Sequence, residues 1–76
     1  MQSELEIRTK FGAVLKELRV GKKISQEKLA LESGIDRTYI SLLEKGKRNV
    51  TIKILFSICQ VLEIAPSEFL KKLEAL

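Results

Sequence analysis

The chain has 76 residues, 45% of them hydrophobic, and a formal net charge of +4, which predicts one small globular domain spanning residues 1–76. A domain of this size is only marginally stable alone, so dimerisation would benefit it. The sequence has a single cysteine, Cys59, which excludes an internal disulfide and a paired-cysteine zinc site. It has no histidine, the commonest general base. Neither a metal nor a cofactor is therefore expected.

Helix 1 is predicted from about Leu5 to Val20, where apolar residues recur on one helical stripe. The stripe contains Ile7, Phe11, Val14, Leu15 and Leu18. Gly21 suits the left-handed residue just past the end of this helix. Helix 2 is expected to begin after Ser25, a favourable N-cap residue, and to end at Gly34.

Helix 3 is expected to follow Asp36 as its N-cap and to end at Gly46. Thr51 is the predicted N-cap of helix 4. Pro66 takes the first position of helix 5, where no backbone N–H is needed. Ala65 before it has no side-chain acceptor, so that cap is expected to be weak.

Helices 2 to 5 also carry hydrophobic staples, in which the residue before the N-cap packs against the fourth helical residue. The pairs are Ile24 with Leu29, Ile35 with Ile40, Val50 with Leu55, and Ile64 with Phe69. Because caps and staples agree along the chain, the sequence predicts an all-α fold of five helices with short loops. No alternating strand pattern competes with it.

The segment from Ser25 to Asn49 has the length of two short helices joined by a tight turn, which predicts a helix-turn-helix formed by helices 2 and 3. In helix 3, Ile40 and Leu43 would face the core. The opposite side then presents polar residues, namely Arg37, Thr38 and Ser41. Arginine can pair with guanine through two hydrogen bonds, and threonine offers a hydroxyl and a methyl group. This side of helix 3 is therefore predicted to read base edges of double-stranded DNA.

Three further features extend this predicted surface. Tyr39 can bond a phosphate or a base, or pack back against the core. Gln26, at the first position of helix 2, can hold a phosphate together with the free backbone N–H groups there; its alternative role is an ordinary exposed glutamine. The residues after helix 3 are expected to run beside the DNA backbone, or else to form a solvated turn; they are Lys45, Lys47, Arg48 and Asn49.

The stretch from about Phe11 to Phe69 resembles the helix-turn-helix family of Cro and phage λ repressor, often called the Xre family. The residues that carry the resemblance are LKELR (15–19), SQEKLA (25–30), GIDRTYISLLEKGKRNVT (34–51) and IAPSEFL (64–70). Within the family, the run DRTYIS followed by RNVT is most similar to the small controller proteins of restriction–modification systems.

The resemblance implies a five-helix bundle of the λ-repressor type and a homodimer on a palindromic operator, with further dimers joining cooperatively. By the same matching, the DNA-contacting positions are Gln26, Arg37, Thr38, Tyr39 and Ser41, and the backbone-contacting loop includes Arg48 and Asn49. Arg19 and Glu44 match a family pair, which is interpreted as a structural clamp because a partly buried carboxylate requires a partner.

The C-terminal helix is expected to hold the dimer together through an apolar face. The residues assigned to that face are Ile64, Phe69, Leu70 and Leu73. The alternative is that these side chains only close the core of the monomer. Cys59 lies in an apolar helix and is expected to be a buried packing residue rather than a redox sensor.

An enzyme is not expected, because the chain has no histidine, no glycine-rich phosphate loop and no pair of acids placed for catalysis. Alternatives within DNA binding are an antitoxin or a phage-type repressor, and a protein-interaction adaptor would be an alternative of another class. A bound dimer can recruit RNA polymerase or block it, depending on where the operator lies, so activation and repression both stay open.

The acidic N-terminal segment lacks a hydrophobic signal core, and no apolar run has the length of a membrane span, which predicts a cytoplasmic protein.

Overall fold

The computed structural model describes residues 2–76, and within that range the chain forms five α-helices and no strand. The helices are α1 (Glu4–Gly21), α2 (Gln26–Ser33), α3 (Arg37–Glu44), α4 (Ile52–Leu62) and α5 (Pro66–Glu74). The predicted all-α class and the order of the helices are confirmed.

Side-chain caps begin the middle three helices as the sequence predicts. The Ser25 side chain accepts from the Lys28 N–H at 3.0 Å, and Asp36 accepts from the Thr38 N–H at 3.1 Å. Thr51 caps α4 in the same way, whereas Ala65 makes no side-chain cap bond and α5 relies on Pro66 in its first turn. Each capped N–H is one that the helix itself leaves without a partner.

Helix α1 has a stronger N-terminus than the sequence analysis anticipated. The Ser3 hydroxyl accepts from the Glu6 N–H at 3.1 Å, and the Glu6 carboxylate accepts from the Ser3 N–H at 3.4 Å. This capping box satisfies two backbone donors reciprocally, so the first turn of α1 is ordered from Ser3 onward.

The turns between helices use left-handed residues, but not always glycine. Gly34 and Gly46 have φ values of +73° and +72°, as expected at the ends of α2 and α3. The placement of Gly21 in a left-handed turn is wrong, because α1 runs through it and the left-handed residue is Lys23, with φ of +59°. The reason is that the Ile24 N–H bonds the Arg19 carbonyl at 3.3 Å, which moves the reversal two residues downstream.

The core lies where α1 packs against α3 and α5 while α2 packs against α3 and α4. The buried apolar side chains are Phe11, Val14, Leu15, Leu29, Ala30, Ile40, Leu43, Leu55, Ile58, Cys59, Leu62, Phe69 and Leu73. The rings of Phe11 and Phe69 are tilted against each other with centroids 4.8 Å apart, joining the N-terminal and C-terminal helices. Cys59 is buried among these side chains, and burial raises the pKa of its thiol.

No helix within residues 2–76 combines the length and the apolar composition that crossing a bilayer requires.

Helix α1 crosses the end of α3 at very short range. A methyl carbon built on Gly12 would lie 2.5 Å from the carbonyl oxygens of both Leu43 and Glu44. One built on Gly46 would lie 3.1 Å from the Thr9 Cα. These two glycines therefore let the backbones of α1 and the α3 terminus touch, and this contact sets how far α3 stands from the body of the domain.

We expect Gly12→Ala to lower the free energy of unfolding by about 1–3 kcal/mol, because the added methyl group has to displace backbone rather than a mobile side chain. Gly21→Ala is the matched control. It lies in the same helix with nothing within 4 Å of an added carbon, so it should be neutral or stabilise by up to about 1 kcal/mol. Urea denaturation of both variants measures the difference, and equal midpoints would contradict the close crossing.

Candidate nucleic-acid interface

Helix α3 is divided sharply into a buried face and an exposed face. Ile40 and Leu43 are fully buried in the core. Arg37 and Thr38, in the first turn, are exposed, and Ser41 is half-buried at the edge of the same side. The helix is thus fixed by its apolar face while its N-terminal polar side chains point away from the domain.

The turn before α3 fixes its angle to α2. The N–H groups of Gly34 and Ile35 both donate to the Ala30 carbonyl, at 2.9 and 3.1 Å. Ile35 packs against the core. The two helices therefore form one rigid unit, as the predicted helix-turn-helix requires.

Tyr39 takes an intermediate position between core and surface. Its ring packs against the core, and its hydroxyl donates to the backbone carbonyl of Asn49 at 2.5 Å. The side chain thus ties α3 to the loop that follows it, and its hydroxyl lies at the edge of the exposed face.

The loop after α3 is basic and exposed. Lys47, Arg48 and Asn49 are all exposed, and the Arg48 guanidinium donates to the neighbouring Lys47 carbonyl at 3.0 Å. The Asn49 amide donates to the Glu4 carboxylate of α1 at 2.6 Å. The predicted loop residues are therefore brought together beside α3, and one of them is held by α1.

Glu44, at the end of α3, accepts three side-chain hydrogen bonds. Its two oxygens accept from Arg19 Nε at 2.6 Å and from a terminal Arg19 nitrogen at 3.1 Å. The Gln26 amide donates to Glu44 Oε1 at 3.0 Å, and the other terminal Arg19 nitrogen donates to the Ile24 carbonyl at 2.8 Å. The cluster joins α1, the start of α2 and the end of α3.

Burial makes this cluster different from the surface ion pairs. The side chains of Glu44 and Arg19 are 4% and 12% exposed, whereas those of Lys28 and Glu32 on α2 are about half exposed and 3.7 Å apart. The hydrogen bond to Glu44 raises the pKa of the Arg19 guanidinium, partial burial opposes the rise, and the Glu44 charge adds to it. The two charges thus neutralise each other between α1 and the end of α3.

Gln26 is placed differently from a simple phosphate ligand. It is half-buried, and one of its two side-chain amide hydrogens is donated to Glu44. Its position at the start of α2 is as predicted, but its hydrogen bond to Glu44 was not predicted. That contact depends on three segments meeting, so no local pattern could have indicated it.

Lys53 joins the candidate surface, although it was not among the predicted site residues. It is exposed in the first turn of α4 and shares a groove with Tyr39 and Thr51. A lysine two residues after an N-cap threonine is a signal that could have placed it, because helix N-termini attract phosphate.

The face assigned to the C-terminal helix needs a correction. Phe69 and Leu73 are 0% and 8% exposed, so they lie in the monomer core and cannot form an intermolecular face. Helical spacing alone did not distinguish the two sides of α5. Leu70 remains 42% exposed, and Ile64 is half-buried at the edge of a depression that also contains Phe56 and Pro66.

Nothing in residues 2–76 groups three or more His, Cys, Asp and Glu side chains in a way that could hold a metal ion.

Comparisons with known proteins match this geometry. A helix-turn-helix family model matches residues 15–69. The control protein C.MunI from a Mycoplasma species is 43% identical over 70 residues, covering 91% of this chain and 95% of that protein. C.BamHI from Bacillus amyloliquefaciens is 42% identical over 65 residues, which cover 84% and 80% of the two chains. The crystal structure of the restriction-modification controller protein C.AhdI from Aeromonas hydrophila has a TM-score of 0.79 at 44% identity, covering 82% of this chain and 94% of that chain.

Replacing Glu44 with alanine is expected to lower the free energy of unfolding by about 3–5 kcal/mol, because Arg19 is left charged and largely buried without its partner. The control is Lys28→Ala, which removes one partner of the exposed pair with Glu32 and should cost about 0.5 kcal/mol or less. Chemical denaturation followed by circular dichroism measures both. A loss at Glu44 no larger than that at Lys28 would show that the cluster does not clamp the fold.

Proposed function

The chain belongs to the helix-turn-helix family, among its restriction–modification control proteins, and is a DNA-binding transcription regulator; we propose that it binds a palindromic operator as a homodimer. On this proposal it controls restriction–modification genes together with its own gene. The observation that carries it is the polar first turn of α3, exposed beside a basic loop and fixed from behind by fully buried apolar side chains.

Each part of the surface has its own task in this proposal. Arg37 reads a guanine in the major groove through its forked guanidinium, and Thr38 and Ser41 make shorter contacts to neighbouring base edges. The phosphate backbone is held by groups that can donate: Lys47, Arg48, Lys53 and the second amide N–H of Gln26 and of Asn49. Tyr39 gives its hydroxyl hydrogen to the Asn49 carbonyl and so fixes the loop that carries these groups. Phosphate contacts set position, and base contacts set sequence preference.

An apolar surface on α4 and α5 supports the dimer. Phe56 is 57% exposed and lines one depression with Ile64 and Pro66. Ile52 and Leu70, 70% and 42% exposed, lie one helical turn from Phe56 and Pro66 and extend the surface along both helices. A small monomer that leaves this much apolar area in water gains stability by covering it with a second copy.

One side of α2 is the surface that we assign to contacts with other proteins bound to the same DNA. Leu31 is 83% exposed and shares a groove with Glu27 and Glu32. This side of the helix is free to meet a second dimer or RNA polymerase bound next to the operator. The proposal assigns no catalytic step to the chain.

Arg37→Ala and Arg48→Ala are expected to separate base reading from phosphate binding. Loss of Arg37 should cost about 1–3 kcal/mol on the preferred operator and relax the preference at one base pair in each half-site. Loss of Arg48 should weaken operator and random duplexes alike and reduce the slope of log affinity against log salt by about 0.9. The operator is obtained by selection from a random duplex pool, and affinities are measured for every single-base variant of one half-site.

Lys71→Ala, which removes one positive charge on exposed α5, is the control for net charge alone. It should leave the ranking of half-site variants unchanged. If Arg37→Ala also preserves that ranking at every position, then Arg37 binds phosphate and does not read a base.

Phe56→Glu combined with Leu70→Glu is expected to convert a dimer into a monomer, because two buried charges would face each other across the symmetric interface. The wild-type protein should sediment as a dimer at micromolar concentrations. Val20→Glu is the control, since it introduces a glutamate at an exposed apolar residue of α1, outside both proposed contact surfaces. A double variant that remains dimeric would place the interface elsewhere, and a wild type that stays monomeric on its operator would refute the homodimer.

A further inference from the structure

Asn49 is held from two sides. Its backbone carbonyl accepts from the Tyr39 hydroxyl, and its side-chain amide donates to Glu4 at 2.6 Å. One partner belongs to α3 and the other to the first turn of α1, which is far away in the sequence. The loop that carries Arg48 is therefore fixed by both helices rather than only by its own turn.

Glu4 is well ordered for this contact. It is the first residue of α1, directly after Ser3, whose capping box with Glu6 secures the turn. Farther along, the backbone of Gly46 lies against Thr9, so α1 runs beside the loop from one end to the other. The carboxylate is thus presented to Asn49 by a rigid helix end.

The charge of Glu4 is unfavourable at this place. Its side chain is 67% exposed, and it lies beside a loop that the proposed function puts against DNA phosphates. Arg8, one turn along α1, is 3.8 Å from it and lessens that repulsion only in part. A negative group next to a phosphate-binding loop repels DNA and weakens binding unless another effect of the same group favours binding.

Resting on the proposed function, we infer that Glu4 is a positioning residue for the DNA-backbone contact. Its hydrogen bond holds Asn49 and thereby orders residues 47–50 before DNA arrives. Pre-ordering spares the loop an entropic cost on binding, and this gain offsets the repulsion from the carboxylate. Glu4 itself touches no base or phosphate.

Comparison of Glu4→Gln with Glu4→Ala tests this role, because both remove the charge and glutamine keeps an oxygen acceptor for the Asn49 amide. Glu4→Gln should bind the selected operator as tightly as the wild type or more tightly. Glu4→Ala should bind about threefold to tenfold more weakly than Glu4→Gln, the range expected for one net hydrogen bond. The difference should vanish when Asn49→Ala is added to both, since the bond is then absent in each.

Glu17→Gln and Glu17→Ala, at an exposed carboxylate near the other end of α1, form the control pair and should bind equally. Faster amide exchange at residues 47–50 in the free Glu4→Ala protein, but not in Glu4→Gln, would support the ordering of the loop. Equal operator affinity of the two Glu4 variants beside a tightly binding wild type would overturn the positioning role alone. A wild type that binds no duplex better than random DNA would overturn the proposed function and this inference with it.

Discussion

The carboxylate of Glu44, whose side chain is 4% exposed, accepts hydrogen bonds from Arg19 and Gln26, and the relative positions of three helices depend on it. A buried charge is costly unless its partners are in place, so α1, α2 and α3 adopt one arrangement rather than several. Arg19 also donates to the Ile24 carbonyl just before α2, so the turn is held by the same side chain. The domain has a small core, and this cluster supplies directional constraint that aliphatic packing alone does not.

The close crossing of α1 over the end of α3 makes the cluster possible. Gly12 lets the α1 backbone approach the carbonyls of Leu43 and Glu44, which brings Arg19, two turns farther along, within reach of the carboxylate. The two contacts are therefore interdependent. Together they hold the far end of α3, and the buried pair Ile40 and Leu43 holds its middle, so the exposed first turn projects at a defined angle.

Charged residues in this small domain divide into those that build the fold and those left for a partner. Arg19 and Glu44 neutralise each other inside, while Arg37, Lys47 and Arg48 stay exposed on one side. The net charge of +4 therefore understates the local positive field beside α3. Glu4 interrupts that field at one place, where its contact with Asn49 links the N-terminus of the chain to the loop.

The sequence by itself determined the helices and their caps, because Ser25, Asp36, Thr51 and Pro66 act through atoms a few residues away and need no tertiary partner. It also determined the core-facing side of α3 and, through its resemblance to known regulators, the family. The capping box at Ser3, which was missed, could also have been predicted, since a serine followed three residues later by glutamate is a local signal.

The tertiary structure alone decided which side of α5 is free, what Gln26 bonds to and how the loop is held. Phe69 and Leu70 are adjacent apolar residues, and only packing against Phe11 places one in the core and leaves the other in water. Gly21 was misplaced for a related reason, since the reversal at Lys23 follows from a bond that Ile24 makes to Arg19. These outcomes depend on atoms that come into contact only when helices distant in sequence pack together. The spacing of residues within one helix cannot predict such contacts.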